Sequence, residues 1–339
     1  MKRVLVLISE PPGRTSANLF DELVRAISPH CDVRVIQVQA EWQSRIRRGL
    51  ALIMTNIRAM WAVFWAQTIM LHVFAAGRAP TIVLARLLRR KVVIFQWDVY
   101  PMTLAGRSVE ISQSRRIANV VEHWLLKHAS VLIIPSEDFR PFVESKKVGG
   151  VIPLWPQQSL LSLEHIALAT EGGPVRIGFA GRIDETRGIE ACLQVLERAA
   201  VQPVEVHLYS GWPMPGMRDI DLKNVQVVHH GQLDRMALQA DLRRMHFGLI
   251  SLSPMLDQPG YPSKTFDYLA AGLPVLYFGR ALPAFTAPLT EAGLGLIISD
   301  EEPINLGHAY TALSADFDAK RDAYLARCTL RWSALAEIL

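Results

Sequence analysis

Cysteine is scarce in this sequence, and the few residues present are far apart along the chain. The three cysteines among the 339 residues are Cys31, Cys192 and Cys328. An odd number at wide spacing forms neither a metal-binding pattern nor a disulfide framework, which indicates a reducing, cytoplasmic setting. A membrane-spanning run is also missing, because the longest uncharged stretch, Ala59–Gly77, contains polar residues and falls short of the roughly 20 apolar residues required.

Acidic residues are absent from Trp42 to Trp97, although the net charge of the whole chain is only +4. This span carries four of the eight tryptophans and nine basic residues: Arg45, Arg47, Arg48, Arg58, Arg78, Arg86, Arg89, Arg90 and Lys91. This composition favours binding to an anionic membrane surface. Arg45–Trp65 is predicted to be a helix that lies on this surface, with arginines on one side and Trp, Phe and Leu on the other. A buried core helix is the alternative. Nucleic acid is a weaker explanation, because the basic residues are mixed with long aliphatic side chains.

Two successive runs of alternating apolar strands and helices divide the sequence. The first extends from the strand Val4–Ile8 to a strand ending at Pro135, and the pair Gly149–Gly150 then interrupts the chain. The second begins at the strand Val175–Ala180 and includes predicted helices at Ile189–Ala199 and Ser263–Ala271. Such alternation is typical of parallel sheets covered on both faces, so we expect an α/β protein with two doubly wound, Rossmann-like domains facing a cleft. The predicted divisions are an N-terminal domain over residues 1–158, a linker over 159–173, a C-terminal domain over 174–318 and a final helix over 319–339.

The sequence GFAGRIDETRGIE at 178–190 places a glycine and two arginines between a strand and a helix. Gly181 and Arg182 follow the predicted strand, and Arg187 lies where the predicted helix begins. One interpretation is ordinary loop chemistry with solvated arginines. The other is an anion site, in which backbone N–H groups and guanidinium groups bind a phosphate.

A second stretch, YPSKTFDYLAAGLPVLYFG at 261–279, resembles the donor-binding segment of retaining glycosyltransferases with the GT-B fold. The resemblance is to the family-four group in particular, which builds bacterial polysaccharides and glycolipids. The turn at 178–190 is similar to the Gly-Arg…Lys-Gly turn that grips the donor diphosphate in this group. Segments 122–139, 227–254 and 331–339 agree in order with other parts of the fold, including a terminal helix that crosses back to the first domain.

This resemblance implies a donor site for a nucleotide-diphosphate sugar. Its negative charge would be met without a metal by the catalytic cations Arg182, Arg187 and Lys264. Asp267 would accept hydrogen bonds from the ribose hydroxyls, although a surface charge is the alternative for Asp267, as solvation is for Lys264. The implied donor-binding residues are Gly181, Arg182, Arg187, Gly231, Gln232, Leu233, Ser263, Lys264, Thr265 and Asp267.

Some positions depart from the pattern of this group. The group has two glutamates with seven residues between them, and the second corresponds to Asp267. The first falls at Pro259, which has no side-chain acceptor; Asp257 or Gln258 could substitute, although Pro259 and its following glycine indicate a turn. Arg187 stands where the group has lysine, which keeps the charge but changes its geometry.

The acceptor side is predicted from two loops of the first domain. The loop SEPPGRTSAN at 9–18 has one glycine, Gly13, and offers Arg14 and Ser16 to an acceptor diphosphate; a turn followed by a helix cap is the alternative. In FQWDVYP at 95–101, Trp97 is predicted either to stack on a sugar or lipid or to pack in the core. Asp98 is a catalytic candidate, as a partner for a sugar hydroxyl, or else a loop brace.

These features together predict a retaining, metal-independent glycosyltransferase of the hexosyltransferase type that needs no cofactor. It would lie peripherally on the inner face of the bacterial cytoplasmic membrane. Its expected partners are a UDP- or GDP-linked sugar, a polyprenyl-diphosphate-linked saccharide acceptor in exopolysaccharide or O-antigen assembly, and anionic lipid, with no nucleic acid. A non-catalytic binding subunit and a sugar-nucleotide epimerase of the same fold are the alternatives.

Overall fold

The structure is a computed structural model, and it describes residues 1–10, 15–38, 45–72, 76–99, 102–109, 113–154, 164–170, 173–211, 221–299 and 302–339. Contacts between residues divide the chain into two compact units. The first unit comprises Met1–Met102, Ser108–Gln157 and Arg327–Leu339. The second comprises Thr103–Arg107 and Gln158–Ala326.

The first unit is built on a six-stranded parallel sheet in the order β2-β1-β3-β4-β7-β8. The inner strands β1, β3, β4 and β7 are mostly apolar because they are buried on both faces, whereas the edge strand β2 is partly exposed. A separate two-stranded hairpin, β5–β6, interrupts the sequence between β4 and the next helix. In chain order the elements of residues 1–151 are β1 (Lys2–Ile8), α1 (Thr15–Ile27), β2 (Cys31–Gln37), α2 (Arg45–Trp65), β3 (Thr68–His72), α3 (Ala79–Leu87), β4 (Lys91–Phe95), β5 (Thr103–Leu104), β6 (Arg107–Ser108), α4 (Gln113–His128), β7 (Val131–Ile134) and β8 (Val148–Val151), of which β5 belongs to the second unit.

The second unit repeats this architecture with a parallel sheet in the order β11-β10-β9-β12-β13-β14. Its core is formed by the inner faces of these strands and by α5, including the fully buried Cys192. Burial raises the pKa of the Cys192 thiol to about 12, so this cysteine is an inert core residue. The elements are β9 (Val175–Ala180), α5 (Ile189–Ala199), β10 (Val204–Tyr209), β11 (Val225–His229), α6 (Arg235–Leu242), β12 (Phe247–Leu252), α7 (Lys264–Ala270), β13 (Val275–Gly279), α8 (Pro283–Glu291), β14 (Gly295–Ile298), α9 (Leu306–Ser314) and α10 (Phe317–Ile338).

The predicted α/β class with two parallel sheets is confirmed, but two edge strands escaped prediction. The pair Gly149–Gly150 was interpreted as a break in the chain, whereas it lies within β8. Glycine is required there because a Cβ on Gly149 would lie 2.5 Å from Val131 Cγ1 of the neighbouring strand. Strand β14 was missed because it is short and also begins with a glycine, Gly295.

Helix α10 begins in the second unit, and its last part belongs to the first. At its end, the carbonyl of Leu339 accepts a hydrogen bond of 3.2 Å from Thr68 Oγ1 at the start of β3. Ile338 fills the space over Gly150, where a Cβ would lie 2.7 Å from Ile338 Cδ1. Among the helices within the described ranges, none combines the length and apolarity needed to cross a bilayer.

Candidate functional site

The turn after β9 holds the first predicted cation in a braced loop. Arg182 follows Gly181 at the carboxyl end of β9, and its Nε lies 2.9 Å from Asp184 Oδ2. Asp184 also accepts hydrogen bonds from the amide (3.0 Å) and the hydroxyl (2.5 Å) of Thr186, which close a local turn. The Arg182 side chain is 53% exposed, so about half of its surface remains accessible to a ligand.

Gly188 allows this turn to approach the end of the neighbouring strand β12. Its φ of +59° lies in the left-handed region, and a Cβ there would be 2.9 Å from the Cα of Ser253. Ser251 Oγ donates to the Arg187 carbonyl at 2.6 Å, and the Ser253 amide donates to the Thr186 carbonyl at 2.9 Å. The backbone around Arg187 is therefore fixed at the carboxyl edge of the sheet, where ligands bind in folds of this class.

Asp267 is paired with cations from two helices. Lys264 Nζ lies 2.9 Å from Asp267 Oδ2, because residues three apart share one face of α7. Arg235 Nη2, at the start of α6, lies 3.8 Å from Asp267 Oδ1. Arg235 was not predicted as a site residue, and the available signal was its place in a helix start just after the predicted Gly231–Leu233 segment. The Lys264 and Asp267 side chains are 37% and 27% exposed, so solvent and ligands reach this pair.

The amides predicted to face a donor at the start of α7 are partly used within the chain. The Ser263 amide donates to the Tyr261 carbonyl at 2.9 Å, and the Thr265 amide donates to the Pro262 carbonyl at 3.1 Å. Helix α7 has only seven residues, one fewer at each end than the predicted Ser263–Ala271. In this segment the Lys264 side chain is therefore more accessible to an anion than these two amides.

A cavity of about 190 Å³ forms where these segments meet in the second unit. Its lining brings together five predicted residues, namely Gly181, Arg182, Arg187, Ser263 and Lys264. Among the lining residues that were not predicted, three carry hydroxyl groups, namely Ser251, Tyr261 and Tyr268. The Tyr268 hydroxyl is fixed by the Ala180 amide (2.9 Å) and the Leu249 carbonyl (3.1 Å), so it shapes the floor of the cavity.

The remaining predicted donor residues lie outside the lining of this cavity. Thr265 is fully buried in α7, and Asp267 follows in the same helix. Gly231 begins the loop after β11 with a left-handed φ of +73°, and Gln232 and Leu233 continue that loop toward α6. The cavity therefore brings together the predicted turn after β9 and the predicted start of α7, whereas Thr265, Asp267 and the Gly231–Leu233 segment do not line it.

Asp257 and Gln258 hold the hairpin β5–β6 in place. Asp257 Oδ2 accepts hydrogen bonds from the Thr103 hydroxyl and, at 2.9 Å, from the Gly106 amide, while Gln258 Oε1 accepts from the Thr103 amide at 2.8 Å. These hydrogen bonds, with that from Thr103 the largest contribution, lower the pKa of Asp257 below its ordinary value. Because both side chains are engaged by the hairpin, they are poor substitutes for the acidic residue missing at Pro259.

The predicted acceptor residues are only partly described. Gly13 and Arg14 lie outside the described residues, and of Ser16 only the backbone, in α1, is described. Trp97 is buried and stacks on His72 with ring centroids 5.5 Å apart, which matches the core-packing alternative rather than a free stacking surface. Asp98 lies half-buried just beyond the carboxyl end of β4.

In the parts of the chain that the structure describes, no group of His, Cys, Asp and Glu side chains is arranged to hold a metal ion. The charged groups around the cavity are instead mainly cationic. Such a site is suited to an anionic ligand, and a diphosphate has the charge to engage several of its cations at once.

Comparison with known proteins agrees with this architecture. Residues 3–153 match the family described as "Glycosyl transferase 4-like domain". No curated protein matches the chain.

Solved structures of glycosyltransferases share the fold over nearly the whole chain. Sucrose-phosphate synthase from Thermosynechococcus elongatus has a TM-score of 0.60 and 14% identity, over 99% of this chain and 98% of that chain. The α,α-trehalose-phosphate synthase from Burkholderia vietnamiensis has a TM-score of 0.53 and 12% identity over the full length of both chains. The corresponding synthase from Burkholderia multivorans has a TM-score of 0.52 and 12% identity, over 98% of this chain and 94% of that chain. The chain therefore has the GT-B fold of glycosyltransferases.

Proposed function

We propose that this chain is a retaining glycosyltransferase that takes a hexose from a nucleotide-diphosphate sugar. The observation that carries the proposal is the cavity in which Arg182, Arg187 and Lys264 converge at the carboxyl edge of the second sheet. Cleavage of the sugar–phosphate bond leaves negative charge on the departing nucleoside diphosphate. Cations held in place before the reaction stabilise this charge more strongly than water does.

Each cation has a distinct role in this proposal. The Arg182 side chain is 53% exposed beside Asp184, so a phosphate can reach its guanidinium. Arg187 is positioned through its own backbone, which Ser251 holds. Lys264 exchanges its partner Asp267 for the diphosphate, and Asp267 then accepts hydrogen bonds from the ribose. Since these cations can neutralise the leaving group, we expect activity without an added metal ion or cofactor.

The chain has Pro259 where the resembled group of glycosyltransferases has its first glutamate, so another residue must contact the transferred sugar. Pro259 offers no side-chain acceptor, and Asp257 anchors the hairpin. Contacts to the transferred sugar must then come from other groups, and Asp98 beyond β4 remains our candidate in the first unit.

The surface of the first unit supports a membrane-associated acceptor. Helix α2 presents an apolar stripe to solvent, and neighbouring α3 and α4 add to the exposed apolar area, although α4 was not predicted to do so. The exposed side chains are Leu50, Ile53, Met54, Ile57, Trp61, Phe64, Val83, Leu87, Ile117, Val120 and Trp124. A group of exposed apolar side chains on neighbouring helices is typical of an interaction surface. Trp65, by contrast, is half-buried beneath Arg34, which lies 4.1 Å from its ring centre.

The basic residues beside this apolar stripe favour a lipid surface as its binding partner. Helices α2 and α3 lie within the acid-free span, and Arg58 on α2, Arg86 on α3 and Arg89 just after α3 are exposed. Basic residues beside exposed apolar side chains suit a membrane of anionic lipids. We therefore propose a peripheral position on the inner face of the bacterial cytoplasmic membrane and a polyprenyl-diphosphate-linked saccharide as acceptor, in exopolysaccharide or O-antigen assembly.

Titration of the purified chain with UDP and GDP tests the donor site. One of the two nucleotides should bind, and Arg182→Ala should weaken that binding by about 2 kcal/mol, the contribution of a hydrogen bond to a charged group. Arg198→Ala is the matched control, because this exposed arginine lies in the last turn of α5, outside the cavity lining. Equal affinities for the wild-type chain and the Arg182→Ala variant would overturn the assignment of the cavity.

A further inference from the structure

A second arginine, Arg78, is buried at the corresponding edge of the first sheet. Its side chain has no exposed surface, and its Nη2 donates a hydrogen bond of 2.9 Å to the carbonyl of Ile8. Ile8 is the last residue of β1, so the guanidinium lies at the carboxyl end of this strand. In parallel sheets of this class, ligands bind at that edge.

The guanidinium of Arg78 lacks a counter-ion among the residues that the structure describes. Its Nε and Nη1 atoms are buried and make no hydrogen bond there. A second buried arginine shows what a structural guanidinium looks like in the same chain, because Arg321 lies 2.9 Å from Asp318 and 3.1 Å from Asp322. A buried charge without a partner is strongly destabilising, so its presence calls for a function.

The position of Arg78 in the chain adds to the positive charge at this place. Arg78 is the residue that precedes α3, and its side chain makes no capping hydrogen bond. Amides in the first turn of a helix lack intrahelical acceptors and carry partial positive charge, which repels a cation and attracts an anion. Burial lowers the pKa of Arg78 to about 10, which still leaves it charged at neutral pH.

We propose that Arg78 is the anchor for a phosphate group at the carboxyl edge of the first sheet. A phosphate oxygen would accept hydrogen bonds from the unpartnered Nε and Nη1 donors and supply the missing counter-charge. The assignment of this phosphate to the diphosphate of the acceptor rests on the proposed function. It agrees with the sequence, because the predicted acceptor loop at 9–18 follows directly from Ile8.

The test uses the full chain with Arg182→Ala and Lys264→Ala throughout, so that two of the three cations proposed to bind phosphate in the donor cavity are removed. Thermal unfolding is measured with inorganic pyrophosphate and with a short polyprenyl diphosphate in detergent. Both ligands should raise the unfolding temperature. Adding Arg78→Met should abolish both shifts without lowering the unfolding temperature of the free chain, because a buried unpaired charge is removed. With Arg78→Lys added instead, both ligands should still raise the unfolding temperature, but the same shift should require at least a tenfold higher ligand concentration.

Several outcomes would overturn the inference. If both ligands still raise the unfolding temperature of the Arg78→Met chain by the same amount, the inference is overturned. Loss of cooperative unfolding in both variants would make Arg78 a structural anchor for Ile8. A response to pyrophosphate without a response to the polyprenyl diphosphate would leave an anion site and overturn its assignment to the acceptor. Binding of UDP or GDP to an Arg78→Met chain with Arg182 and Lys264 intact tests the donor site separately, and we expect it to equal the wild type.

Discussion

Replacement of Asp267 by asparagine separates the two functions assigned to the donor site. The carboxylate is proposed to hold the ribose, while Lys264, 2.9 Å away, is proposed to hold the diphosphate. Asp267→Asn preserves the shape of the side chain and removes its charge. It should therefore weaken the binding of a whole nucleoside diphosphate without weakening the binding of inorganic pyrophosphate.

The structure sets the size of both effects. An ion pair between partly exposed residues on one helix face contributes only about 0.3–0.5 kcal/mol, so the free energy of unfolding should change little. A hydrogen bond to a charged acceptor contributes about 1.5–3 kcal/mol, and the amide oxygen retains part of this. We expect a loss of roughly 10-fold to 100-fold in affinity for the nucleoside diphosphate. Pyrophosphate should bind equally or slightly better, because Lys264 loses its competing partner.

Calorimetric titration of both ligands against both chains measures these affinities. Asp221→Asn is the matched control, because Asp221 is 86% exposed, lies 4.0 Å from Lys223 and is not part of the cavity lining. Equal losses for pyrophosphate and nucleoside diphosphate would mean that the change disturbs α7 as a whole. That result would refute the division of roles between Asp267 and Lys264.

Three further changes test other parts of the account. Gly188→Ala should lower the free energy of unfolding by about 1–3 kcal/mol in urea titrations, because φ is +59° and Ser253 leaves no room for a Cβ; an unchanged midpoint would contradict this. Asp257→Asn should speed trypsin cleavage after Arg107, because the hairpin loses its carboxylate acceptor. In the wild-type chain the hairpin should loosen only below about pH 4, because a carboxylate with a lowered pKa gives stabilisation that is lost as pH falls. Replacement of Arg45, Arg47 and Arg48 by glutamate should abolish binding to anionic vesicles and leave UDP or GDP binding intact. If the wild-type chain does not bind such vesicles at low salt, the membrane proposal is refuted.

Local sequence signals were sufficient for most of the fold. Strand Val175–Ala180, helix Ile189–Ala199 and helix Arg45–Trp65 have the predicted bounds, because long apolar runs and regular periodicity specify an element without help from the rest of the chain. Strand β8 could not be predicted in this way. Its glycines match the close approach of Val131 and Ile338, and those neighbours are remote in sequence.

The candidate site shows the same limit. The cations Arg182, Arg187 and Lys264 were recognisable from their place after a strand and before a helix. The engagement of Asp257 by Thr103 joins residues 154 positions apart, so no local pattern reveals it. Arg78 is likewise one of nine basic residues in the acid-free span, and the sequence does not reveal its complete burial or its two unpartnered nitrogens.

The most direct test of the central claim follows the anomeric carbon of the donor by proton NMR. Purified chain is incubated with the nucleotide sugar whose nucleotide it binds, with and without a lipid-linked saccharide acceptor. The account predicts release of the nucleoside diphosphate and transfer of the sugar with its anomeric configuration retained, at a rate strongly reduced by Arg182→Ala. Inversion at this carbon would contradict the retaining mechanism, and a chain that binds the nucleotide but never cleaves the donor would be a binding subunit rather than a glycosyltransferase.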